Sequence, residues 1–369
     1  TKGEWQYSSD GSTWSAISTV AGASTSRTFA SADRFRFVPV SNFNGAAPAL
    51  TVILIESPTT VTTNAVLDVS TRGGTTVYSS GTVVLSHSVT AVNDAPVASG
   101  SSTLAADLED PATPTATLVS SLFSACFNDS TDTVSGGSSA NTLAGIAITA
   151  YTSDSAKGSW QYSTNNSTWV TIGSVSGASS AFTVQSTHYL RFLPAANFNG
   201  SAPDLTVVLI DNSATVTTGS TVSVSSRGGT TAYSSGTVLL SHSVTAVNDA
   251  PVASGSSTLA AILEDNAAPS GSTVSSLFTA NFNDSTDTVS GGTTANTLAG
   301  IAITAYTEAT AKGVWQYSSD GSSWSSLATI AGATTAKTFQ STDYLRFLPA
   351  ANFNGAAPSL TVILIESPT

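Results

Sequence analysis

Short apolar runs, broken by turn residues about every dozen positions, organise this chain. TVILIE at 51–56, GTVVLSHSVTAV at 81–92 and AGIAITAY at 144–151 are rich in β-branched residues and partly alternate, which is the pattern of strands. WQYSSDGSTW at 5–14 sets Trp5, Tyr7 and Trp14 around Ser9-Asp10-Gly11, and its counterpart at 160–169 carries Asn165-Asn166 in the same place. Both are hairpin turn pairs. LRFLPAANFNGSAP at 190–203 reads as a strand closed by Pro194 and followed by an Asn199-Gly200 turn. No stretch of useful length combines a 3.6-residue apolar period with caps, so no helix is predicted. Eight or nine short strands per repeat predict an all-β fold, a tandem antiparallel β-sandwich.

The pattern itself recurs. SHSVTAVNDAPVASGSSTLAA at 86–106 returns letter for letter at 241–261. WQY begins at Trp5, Trp160 and Trp315, and NFNG at Asn42, Asn197 and Asn352, each spaced by 155 residues. Residues 72–106 differ from 227–261 only at Val77/Ala232 and Val84/Leu239. A period this long exceeds any solenoid coil, so each copy is expected to be a domain with its own core. The expected division is 1–95 as the C-terminal part of one copy, 96–250 as a complete copy, and 251–369 as the N-terminal part of a third.

Composition narrows the function. Lys+Arg of 11 against Asp+Glu of 23 gives a net charge of −12, with only 9% of residues charged. Such a chain is a poor partner for nucleic acid or an anionic membrane, and at 40% hydrophobic it is no disordered acidic tail. Methionine is absent, so the stretch reads as an excerpt of a longer chain. No apolar run is long enough to span a membrane. Cys126 is the single cysteine and its counterpart is Asn281, which makes it a small core filler. His87 and His242 repeat one strand position, while His188 aligns with Asp33 and Asp343. No recurring nucleophile, base and carboxylate occur together, so an enzyme is not expected. The tryptophans are expected to anchor the core, the other reading being sugar-binding platforms.

Acid is unevenly placed. Residues 94–132 hold Asp94, Asp107, Glu109, Asp110, Asp129 and Asp132, and 249–287 hold Asp249, Glu264, Asp265, Asp284 and Asp287, without a single Lys or Arg in either stretch. Carboxylates so clustered repel unless they are solvated or bridged by a cation, and oxygen ligands suit Ca²⁺. A solvated acidic surface that aids solubility is the equal alternative.

In order along the chain, AVNDAPVA, LED, FNDSTD, NTLAGIAIT, GSWQYS, LRFLPAANFNG and a closing AVNDAP resemble the cadherin-like tandem repeats of very large bacterial surface and secreted proteins. The resemblance implies an Ig/cadherin-like sandwich and calcium at the linkers. It points to Asn93, Asp94, Glu109, Asp110, Asp129 and Asp132 as ligands, and to Asn248, Asp249, Glu264, Asp265, Asp284 and Asp287 in the next copy. The flanking Ala91 and Ala95, and the three-residue spacing of Asp129 and Asp132, depart from the cadherin pattern and favour one ion per junction over three. Pro96 stiffens the linker with or without metal.

Arg36, Arg191 and Arg346 precede NFNG while Glu56, Asp211 and Glu366 follow it, and a cross-hairpin ion pair is expected between them. Lys2, Lys157 and Lys312 also recur, and solvent exposure is favoured over an isopeptide role. The expected function is a rigid spacer in a long extracellular or cell-surface bacterial fibre or adhesin, partnered by further copies of the repeat in cis. Two alternatives stand beside it: a self-assembling filament in which strands of like chains complete one another, and a carbohydrate-binding module contacting glycans or cell surfaces.

Overall fold

The computed structural model describes residues 2–367; residue 1 and residues 368–369, the outer ends of the first and last expected spans, lie outside it. Strand accounts for 36% of the chain against 8% helix, which makes the protein all-β.

Residues 96–250 build two principal sheets. The larger runs in the order Ser101–Thr103, Val238–Ser241, Leu205–Asp211, Leu143–Tyr151, Ala181–Gln185, Thr221–Val222, with Val175–Ser176 also on Leu143–Tyr151. The second runs Ala116–Leu118, Tyr189–Pro194, Gly158–Ser163, Val170–Thr171. One core takes Ile146, Ile148, Val207, Leu209, Val238 and Leu240 from the first and Trp160, Leu190 and Phe192 from the second. The opposite side of the larger sheet is covered too, where Val208 and Ile210 pack with Val216, Val224 and Ala232. A strand buried on both faces needs apolar side chains at consecutive positions. That is why LTVVLID reads as a continuous run rather than a clean alternation.

Two features depart from expectation. The sheets are not wholly antiparallel, since Ser101–Thr103 runs parallel to Val238–Ser241 and Asp107–Leu108 parallel to Ser243–Thr245. These two early strands of 96–250 therefore point the same way as its last ones. Chain that enters this unit at one pole leaves it at the other. The second departure is a short helix, Val119–Phe123, repeated at Val274–Phe278. Val119, Leu122 and Phe123 face the core from it, but one turn and a half is too short for a periodicity to register.

Residues 251–367 repeat the helix and the main strands, from Ser272–Thr273 and Leu298–Ala305 to Thr361–Glu366, but the counterparts of Ser101–Thr103 and Asp107–Leu108 are not strands there; the core holds Val274, Ile301, Ile303, Tyr306 and Leu345 among others. Residues 1–95 carry the Gly3–Ser8 and Arg34–Pro39 pair in the same register as Gly158–Ser163 and Tyr189–Pro194. Trp160 is fully buried and donates from Nε1 to the Pro203 carbonyl, whereas Trp5 and Trp315 make the equivalent bond while half-buried. Not every tryptophan is a core anchor. Trp14, Trp169 and Trp324 lie half-buried beneath Arg36, Arg191 and Arg346, at 4.3, 4.0 and 4.0 Å, an ordinary cation–π stack. Cys126 is buried in the core, while Asn281 at its counterpart bonds the Ser254 carbonyl.

Candidate metal centre at the junctions

The two AVNDAP segments lie outside any strand and are tied down by short polar bonds. At the first, Ala95 N–H donates to the Gly229 carbonyl at 2.8 Å and Asp94 N–H to Asp132 Oδ1 at 2.9 Å. Asn93 Nδ2 donates to the Thr231 carbonyl at 3.1 Å and to Asp211 Oδ2 at 3.4 Å, while its Oδ1 accepts from Asn141 Nδ2 at 2.6 Å. At the second, Asp249 N–H reaches Asp287 Oδ1 at 2.9 Å, Asn248 Nδ2 reaches Glu366 Oε1 at 2.6 Å, and Asn296 Nδ2 reaches Asn248 Oδ1 at 2.8 Å. The repeated Asn-Asp pair is thus a clamp that fixes where the linker meets the following copy.

FNDSTD supplies the carboxylates by local geometry. Ser130–Asp132 and Ser285–Asp287 are single 3₁₀ turns preceded by Asp129 and Asp284 at the N-cap position. A 3₁₀ turn brings residues three apart onto one side, so Asp129 and Asp132 converge despite their spacing. A third carboxylate comes from the end of a strand, Asp211 from Leu205–Asp211 and Glu366 from Thr361–Glu366. Asp284, Asp287 and Glu366 each place an oxygen within 4.8 Å of the others.

Among the described residues, no basic side chain pairs with these acids. Burial pushes the Asp129 carboxyl above its ordinary range; the Asn141 N–H opposes this, and the charges of Asp132, Asp211 and Asp94 add to it. Burial likewise raises Asp284, opposed by the Asn296 N–H and reinforced by Asp287 and Glu366. Buried oxygens are left without a hydrogen-bond partner: Asp129 Oδ1 at the first junction, and Asp284 Oδ1, Asn296 Oδ1 and Glu366 Oε2 at the second. An orphaned buried acceptor costs free energy that a ligand can recover. An all-oxygen donor set of carboxylates and amides is the kind a hard divalent cation takes.

The expected ligands do not form one group per linker. Asn93, Asp94, Asp129 and Asp132 come together. Glu109 and Asp110 sit at the opposite pole: Glu109 Oε2 accepts from Asn199 Nδ2 at 3.0 Å, its Oε1 accepts from Val247 N–H, and Asp110 Oδ1 accepts from Asn197 N–H at 3.0 Å. Glu109 thus holds the residue before Asn248, and the charges of both acids act on Asp249, one linker later. Glu264 and Asp265 repeat this with Asn354 and Asn352. For Glu109 and Asp110 the reason is the parallel strand pairing, which carries the chain from pole to pole by Leu108. Sequence reasoning missed Asn141 and Asn296, and assigned Asp211 and Glu366 to the wrong partner. Arg36, Arg191 and Arg346 donate from Nε to Gln6, Gln161 and Gln316 at 2.8, 2.9 and 2.8 Å. The expected arginine–carboxylate pairs do not form; among the described residues, His242 Nε2 lies 3.7 Å from Asp107 Oδ2, an ion pair only when the imidazole is protonated. Lys2 and Lys157 donate to the Ala46 and Ser201 carbonyls.

NFNG completes the joint. Asn44 exchanges bonds with Ser138, donating from Nδ2 to Oγ at 2.8 Å and accepting the Ser138 N–H at 2.6 Å. Asn199 does the same with Thr293, at 3.0 and 2.8 Å. Beside it, Gly200 has φ +109°, and a Cβ there would stand 2.9 Å from the Gly291 carbonyl oxygen. Successive copies approach too closely for any other residue. Ser138 Oγ and Thr293 Oγ1 in turn donate to the carbonyls of Asp132 and Asp287, so the clamp from the preceding copy ends on the acidic turn. Scans against protein-family models, curated proteins and solved structures return no match for this chain.

Proposed function

We propose that this chain is a spacer segment of an extracellular bacterial fibre or adhesin. It is built of tandem Ig/cadherin-like β-sandwiches divided at 1–95, 96–250 and 251–369, with calcium at the junctions. The observation that carries this reading is the set of buried, unpartnered carboxylate and amide oxygens where each linker meets the next acidic turn. Two sheets closing on one core and parallel first and last strands support a string of sandwiches. The ordered motifs that resemble those of cadherin-like repeats favour a surface or secreted setting. The acids of the 3₁₀ turns and strand ends would supply the carboxylate ligands, and the asparagines would orient them. At the first junction these are Asp129, Asp132 and Asp211 with Asn93 and Asn141; at the second, Asp284, Asp287 and Glu366 with Asn248 and Asn296. The ion would neutralise charges that otherwise repel and would couple the linker to the copy that follows.

A thermal melt of the whole chain in excess calcium and in EDTA tests this. A hundredfold excess of ligand over Kd adds about 2.7 kcal/mol, which raises the melting temperature by several degrees, at roughly 2–4 °C per kcal/mol for units of this size. Solution scattering should show a stiffer, longer particle with calcium. Identical melts and scattering in both buffers would sink the reading.

A further inference from the structure

The two junctions share a plan but not a state of readiness. At the first, Asp211 is fully engaged: Oδ1 accepts the Ser213 N–H at 2.8 Å and the Ser213 hydroxyl, and Oδ2 accepts from Asn93 Nδ2 at 3.4 Å. Among the buried oxygens of the described residues there, Asp129 Oδ1 has no partner. At the second, the strand ends in Glu366, one methylene longer. Its Oε1 accepts from Asn248 Nδ2 and its Oε2 has no partner. Where the first junction has Ser213, the sequence at the second has Pro368, whose nitrogen carries no hydrogen to offer a carboxylate. Asp284 and Asn296 are 4% and 6% exposed, and each keeps an oxygen unpartnered.

A cation entering the second site meets free oxygens. One entering the first must draw Asp211 away from donors that already satisfy it, and that exchange offsets part of the gain. Resting on the cation reading above, we propose that the junction sites are ranked: Asp284, Asp287, Asn296 and Glu366 take calcium first, and Asp129, Asp132, Asn141 and Asp211 follow at higher concentration. The two joints of a near-identical string then respond to different calcium levels, and the residue at position 211 or 366 sets each threshold.

Isothermal titration of the EDTA-stripped, dialysed full chain with calcium chloride tests the ranking. Two classes of site are expected, separated by about tenfold or more in Kd. Asp284→Asn removes the tighter class, and Asp129→Asn removes the weaker one while leaving the tighter intact. Glu366→Asp, which keeps the charge and serves should Asp284→Asn disturb folding, brings the tighter class to within about threefold of the weaker. Two sites of equal affinity, or loss of the tighter class in Asp129→Asn, would overturn the ranking and leave the cation reading standing. No binding by the unmutated chain would overturn both.

Discussion

Trp160 has no exposed surface and Trp5, in the same WQY sequence, is half-buried; Leu209 and Val238 are 0% exposed, whereas their counterparts Leu54 and Val83 stand 57% and 50% open. The WQY hairpin keeps its register and its tryptophan hydrogen bond in residues 96–250 and in residues 1–95. What differs is the cover. In 96–250 the segment 98–151 brings Leu104, Val119, Leu122, Phe123, Ile146 and Ile148 onto these positions. Among the described residues no equivalent segment packs on 1–95. Burial here belongs to a distant stretch of chain, not to the strand that is buried.

The sharpest way to break the comparison is to truncate the tryptophans in turn. Trp160→Ala should cost about 3–5 kcal/mol, and Trp5→Ala roughly half of that or less, because part of its surface is already wet. Chemical denaturation followed by fluorescence reads both, and equal losses would show that 1–95 is closed in solution by contacts absent here. Next in size, Leu209→Ala should cost about 2–5 kcal/mol while Leu54→Ala stays within about 0.5 kcal/mol, measured in the same way.

The smallest effect is a pH response confined to the covered copy. His242 is buried against Trp160 and Phe192, with Nδ1 3.4 Å from the Leu104 carbonyl oxygen. Burial pushes its pKa below the ordinary 6.5, opposed by the Leu104 carbonyl and the Asp107 carboxylate. The unfolded chain then binds the proton more readily than the folded one. Stability is complete above the ordinary value and is lost as pH falls through the lowered folded pKa. Melts in EDTA should show this slope, and His242→Gln should remove it; a slope that survives the substitution assigns it elsewhere.

Part of the candidate site was legible. Asp94, Asp129 and Asp132 stood out as clustered acids and Asn93 through the resemblance to cadherin-like linkers, and the fold brings these four together. Glu109 and Asp110 were identified too, but placed at the wrong junction, because nothing in LED states that two parallel strand pairs have already carried the chain to the far pole. The recurrence of Glu56, Asp211 and Glu366 was visible, yet an arginine on the strand before NFNG was as good a partner on paper as a calcium site. Only the register shows that Arg191 faces Gln161 and stacks on Trp169.

The sequence by itself determined the repeat, the predominance of strands and the positions of the turns. These depend on side chains close together along the chain: β-branched runs, Asn-Gly and Asn-Asp pairs, prolines. Tertiary structure alone decided that the first strands run parallel to the last, that VSSLF is a helix packed on the core, which tryptophans are dry, and which acids share a junction. Each of those depends on contacts between residues far apart in sequence, and a side chain's letter carries no record of the partner it will meet.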